Sequence, residues 1–70
     1  MKHDYVARIR EWERRTGNGP AEFAEAVAHE LGDTAARVVS SVYMWRRGLR
    51  KPTGMRKAAV ERVLNQPIST

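Results

Sequence analysis

The side chains best equipped for chemistry in this chain gather in RVVSSVYMWRRG (37–48) and the segment just after it. Six bases, Arg46, Arg47, Arg50, Lys51, Arg56 and Lys57, fall within twelve residues, with no acid among them. A solvated charged face is the ordinary explanation for a single such cluster. This density around the turn LRKP points instead to a polyanion. Upstream, Ser40 and Ser41 interrupt a run of valines that by local preference would form a strand. A period of two gives no cleanly apolar face. A helical period does better: Ala35, Val38, Val42 and Trp45 fall on one side, and Ala36, Ser40, Tyr43 and Arg47 on the other, flanked by Arg37 and Met44. A helix with an apolar back and a low, small-residue front can lie close to a DNA groove.

The arrangement matches the demands of major-groove reading. The groove admits one α-helix, and base edges there carry a distinct donor and acceptor code. Arg37, Ser40, Tyr43, Met44 and Arg47 are the candidate base contacts. Arginine can pair with guanine, serine can donate or accept, and methionine can touch a thymine methyl. Arg46, Arg50, Lys51, Thr53, Arg56 and Lys57 are the candidate phosphate contacts, which position a protein and make its binding salt-dependent. Recognition of single-stranded RNA would favour several exposed stacking aromatics, and only Tyr43 fits that role.

Other chemistries find little material. There are no cysteines and two histidines, so disulfides and thiolate metal sites are excluded. His29 has Glu25 and Asp33 four residues to either side, but near a helix C-terminus a histidine is more simply a favourable cation than a ligand. GNG (17–19) lacks the lysine and spacing of a phosphate loop. The expectation is a protein that is not an enzyme and carries no metal or cofactor. No apolar run approaches the roughly 20 residues of a membrane span. MKHDYVARIR has no apolar core for a signal peptide. A soluble protein of the bacterial cytoplasm or nucleoid is therefore expected, with no membrane partner.

The elements that must hold these residues are short helices. The chain has 70 residues and a net charge of +5, with a pI near 10.5, enough for one small domain. A first helix is predicted after a capping Asp4, with Tyr5, Ile9 and Trp12 on one side and a Glu11–Arg15 pair on its surface. TGNG ends it. A second follows Asn18 or Gly19 with Pro20 early, and gathers Phe23, Ala24, Val27, Ala28 and Leu31 on one face. Gly32 ends it, and Asp33 or Thr34 caps the third, which spans about 34–47. Thr53 caps a fourth through about Leu64, whose wide apolar arc comprises Met55, Ala59, Val60, Val63 and Leu64. The expected fold is all-α, a bundle of four or five helices with a helix-turn-helix core in residues 1–66, followed by a mobile tail at 67–70. Val60, Leu64 and Ile68 look like surplus apolar surface. They serve either as a homodimer contact or as packing under the first helix. Glu22, Glu25 and Glu30 are either a solvated face or a contact for a protein partner such as RNA polymerase.

FAEAVAHELG followed by VVSSVYMWRRGLRKP and RKAAVERVL resembles the phage Cro and repressor family. The matching features are Phe23 and Ala24, Val42 and Trp45, Gly48, Pro52 and Glu61, within roughly Pro20 to Leu64. The resemblance implies a helix-turn-helix whose second helix enters the major groove, binding a two-fold site as a dimer. It also implies that the second helix points its start, at Gly19, Pro20 and Ala21, toward a phosphate. The spacing between Phe23 and Trp45 is about one helical turn longer than the family's. A longer second helix would leave Val39, Ser40, Met44 and Arg47 facing the groove, whereas a longer third helix would add Ala36 and Arg37. The leading expectation is a sequence-specific, double-stranded DNA-binding transcriptional regulator of phage or mobile-element type. The alternatives are an architectural, excisionase-like DNA-binding factor and an antitoxin-type protein-interaction module.

Overall fold

A computed structural model describes residues 4–66. Within them the chain forms four helices of 12 residues each and no strand: α1 (Tyr5–Thr16), α2 (Pro20–Leu31), α3 (Ala35–Arg46) and α4 (Gly54–Asn65). The proposed mobile tail and Ile68 lie outside the described residues. α2 is the centre of the packing, against α3 and α4, and α1 lies across α3 and α4.

The helical periods expected from sequence bury the expected sides. Ile9 and Trp12 of α1, Phe23, Ala24, Val27 and Ala28 of α2, Val38, Val42 and Trp45 of α3, and Ala59, Val60, Val63 and Leu64 of α4 make one core. Trp12 meets Phe23 edge to face with ring centroids 5.0 Å apart. α3 is helical in spite of its valines and serines. The exchange is physical: β-branched residues lose a few tenths of a kcal/mol each in a helix, whereas full burial of a valine contributes about 1.5 kcal/mol or more. Val38 and Val42 are wholly buried and Trp45 nearly so. Tertiary packing outweighs the local preference.

The chain turns from α2 into α3 through three residues. Gly32 takes a left-handed conformation (φ 68°), and the Asp33 N–H donates back to the Ala28 carbonyl at 2.9 Å, closing the helix end. The Asp33 carboxylate then accepts the Thr34 N–H at 2.7 Å, and the extended Thr34 starts α3 at Ala35 without a side-chain cap. Ala36 and Arg37 therefore stand on the first turn of α3.

Several local expectations change. Asp4 precedes α1 with no side-chain capping bond. Glu11 pairs with Arg14 rather than Arg15, because Arg15 instead reaches the Leu64 carbonyl at 3.4 Å. Met55, on the first turn of α4, is 78% exposed and is not part of the core. Val60 is fully buried and Leu64 is 8% exposed, so neither offers a dimer surface. The apolar arc of α4 is wide because α1 covers its second side, as α2 covers the first.

Candidate nucleic-acid interface

The outward face of α3 carries Ala36, Arg37, Ser40, Tyr43 and Arg47, all exposed, with Met44 half-buried at its edge. The spacing 36, 40, 43, 47 follows the helical repeat, so these residues form one stripe along the helix. Ala36 and Ser40 keep it low, and Tyr43 (45% exposed) and Arg47 rise from its C-terminal half.

Gly48, left-handed at φ 76°, turns the chain off the end of α3. Its N–H donates to the Trp45 carbonyl and the Leu49 N–H to the Met44 carbonyl, at 3.1 and 3.0 Å. The basic turn is then pinned by Pro52, whose ring is fully buried, leaving Lys51 and Thr53 exposed on either side of it. Thr53 is extended and precedes α4 with no side-chain capping bond.

Two clefts flank this turn. The larger, about 400 Å³, lies between α3 and the turn and is lined by Ser40, Ser41, Met44, Trp45, Arg50, Lys51, Pro52, Thr53 and Arg56. The other, about 350 Å³, lies on the α1 side and is lined by Tyr5, Lys51, Pro52, Thr53, Gly54 and Lys57. Neither lining contains a carboxylate, and together they hold four cations, Arg50, Lys51, Arg56 and Lys57, and the hydroxyls of Tyr5, Ser40, Ser41 and Thr53. Such a surface favours a chain of phosphates over an isolated neutral ligand. Arg56 joins the two elements: its Nη1 donates to the Ser41 hydroxyl at 2.6 Å and its Nη2 to the Arg37 carbonyl at 3.5 Å. It is thus half-buried and partly engaged in holding α4 to α3.

One expected phosphate contact is differently placed. Arg46 is turned back toward α1, where its Nε donates to Glu13 Oε2 and its Nη2 to Glu13 Oε1 at 2.9 Å. The bond to Glu13 holds the guanidinium even more firmly protonated than usual. The acidic residues of α2 are also occupied. Glu22 accepts the Gly19 N–H at 2.7 Å, reinforcing the start of α2, and Glu30 accepts from Arg62 Nε at 2.8 Å. Glu25 is exposed. The three therefore do not form one uncommitted acidic patch.

A second charged network lies between α1 and α4. Glu61 accepts from Arg8 Nη1 and Nη2, at 2.9 and 2.7 Å, and from the Tyr5 hydroxyl at 2.5 Å. The Arg8 bond first, and the Tyr5 bond second, hold the Glu61 carboxyl down to a pKa of about 2. Burial, and then the bond to Glu61, push the Tyr5 phenol up. This network ties α4 to α1. Neither it nor the Glu13–Arg46 fork was legible in sequence, because the partners are 53 and 33 or more residues apart. No local signal marked them, since Arg8, Glu13 and Glu61 each have an oppositely charged residue three or four places away, Glu11, Arg10 and Lys57, that would satisfy a reading of the sequence.

His29 is exposed near the end of α2, and among the described residues no group of three His, Cys, Asp or Glu is placed to hold a metal ion. No helix among the described residues is long and apolar enough to cross a membrane. Comparison with protein-family models, with curated proteins and with solved structures finds no match to this chain.

Proposed function

We propose that this protein is a sequence-specific, double-stranded DNA-binding regulator of phage or mobile-element type, with α3 as its major-groove helix. The observation that carries the reading is the junction of two surfaces. The low exposed stripe of Ala36, Ser40, Tyr43 and Arg47 runs directly into the carboxylate-free cleft of Arg50, Lys51 and Arg56. A stripe of that shape suits base edges, and a cationic border suits the adjoining phosphates. The three-residue turn between α2 and α3 fits the same reading, because helix-turn-helix proteins join their two helices through a turn of about three or four residues that often contains glycine. Arg37, Ser40, Tyr43, Met44 and Arg47 are the base-reading set. Arg50, Lys51, Thr53, Arg56 and Lys57 grip the backbone. A dimer on a two-fold site would use a surface other than Val60 and Leu64, which the core has taken.

Unbiased selection of duplex sites by the purified protein, followed by mobility shifts at several salt concentrations, tests the proposal. Enrichment of a short, roughly palindromic site, with affinity falling steeply as salt rises, supports it. Tandem direct repeats with bent DNA would identify an architectural factor instead. Binding without enrichment of any site removes sequence-specific regulation, and absence of salt-dependent DNA binding leaves a protein-interaction module.

A further inference from the structure

Arg46 is the exception on an otherwise outward-facing cationic end of α3. It is the last residue of the helix, next to the exposed Arg47 and one turn beyond the exposed Tyr43. Its position in sequence places it with the phosphate-gripping bases. Its side chain is only 21% exposed, and that of Glu13 only 14%. Both oxygens of Glu13 are taken by the two guanidinium nitrogens, in the planar two-bond fork that arginine and carboxylate form best. The neighbouring exposed pair, Glu11 and Arg14, is of another kind, with side chains 51% and 74% exposed on one helix. The Glu13–Arg46 fork is the only ion pair between α1 and α3 among the described residues, and it is made at the C-terminal end of α3.

We infer that Glu13 is a positioning residue that withdraws Arg46 from the DNA and uses it to tether the C-terminal end of α3 to α1. The inference rests on the DNA-binding reading. Two consequences follow from the geometry. With Glu13 in place, Arg46 adds no counterion-releasing contact, and the phosphate grip comes from the turn and α4. Without the carboxylate, a long, flexible cation is released beside Tyr43 and Arg47, where it can meet a phosphate. That contact is blind to sequence. At the same time α3 loses the lateral tether that sets its base-reading stripe, so discrimination between sites falls while attraction to any DNA rises.

The test uses the full chain and measures fluorescence anisotropy on a random-sequence duplex and on the selected site, over about 0.05 to 0.3 M salt. One released phosphate contact steepens the log–log salt slope by about 0.9, or about 8-fold in affinity at 0.1 M relative to 1 M salt. E13Q is expected to show that steeper slope on random DNA and a smaller ratio of selected to random affinity. E11Q changes net charge identically and is expected to keep the wild-type slope and ratio. R46Q is expected to keep the wild-type slope, because Arg46 makes no phosphate contact to lose. A slope shallower by about 0.9 in R46Q overturns the inference, and so does an E13Q slope and ratio equal to wild type. Should E13Q lose its helical circular dichroism, the R46Q slope decides alone. Wild-type protein with no salt-dependent binding removes the DNA reading, and this inference with it. Wild-type binding with an unchanged E13Q leaves the DNA reading standing and removes only the role of Glu13.

Discussion

Glu61→Gln perturbs the α1–α4 network with minimal change of shape. The carboxylate takes two bonds from Arg8, at 2.9 and 2.7 Å, and one from Tyr5 at 2.5 Å. Its pKa falls from 4.5 to about 2, which at about 1.4 kcal/mol per unit would be worth roughly 3 kcal/mol in a dry site. The Arg8 and Glu61 side chains are 33% and 34% exposed, so solvent screening reduces this to about 1–2 kcal/mol. The folded-state pKa lies below the unfolded value. The stabilisation is therefore complete above about pH 5 and is lost as pH falls from 4.5 toward about 2. In a domain of this size, 1 kcal/mol moves Tm by about 4–8 °C. Thermal melts followed by circular dichroism should put Glu61→Gln about 4–16 °C below wild type at pH 7, and the two curves should converge near pH 2. A gap that persists undiminished at pH 2, or none at pH 7, would refute the reasoning. The first outcome would mean that packing, not charge, sets the role of Glu61, and the second that screening has cancelled the pair.

Two further substitutions test the scaffold. Val42→Ala, at a fully buried site in α3, should cost about 1–2 kcal/mol in denaturant melts, the lost burial outweighing alanine's better helix propensity, whereas Tyr43→Ala on the exposed face should stay within about 0.5 kcal/mol. Gly32→Ala should lower Tm by about 4–8 °C through backbone strain alone, since φ is +68° and nothing lies within 4 Å of an added Cβ; equal stability would mean that the α2–α3 turn relaxes freely.

The course of α3 shows how far local reading reaches. Residues 37–42 favour a strand by type, yet the spacing of Val38, Val42 and Trp45 predicts the helix that forms. Spacing prevails because it records which side must be buried, and burial is worth more than propensity. The exposed stripe follows from the same repeat, as the complement of the buried one. The wide arc of α4 lacked such a resolution. A surplus of apolar surface reads alike whether its own chain or a second copy covers it, and only the packing of α4 against α2 and α1 assigned Val60 and Leu64 to the core.

The sequence by itself determined the all-α class, the glycine punctuation at Gly17, Gly32 and Gly48, the positive charge around Pro52 and the front of α3. All of these are properties of neighbours within a few residues, and they survive whatever the helices later pack against. Tertiary structure decided the fate of individual charges. Arg46 and Arg47 are adjacent in the chain, yet one is folded onto Glu13 and the other is exposed. Arg8 and Glu61 meet only because α1 and α4 pack side by side. A guanidinium takes the carboxylate that packing brings within about 3 Å, and that distance is set by helix placement, not by sequence separation.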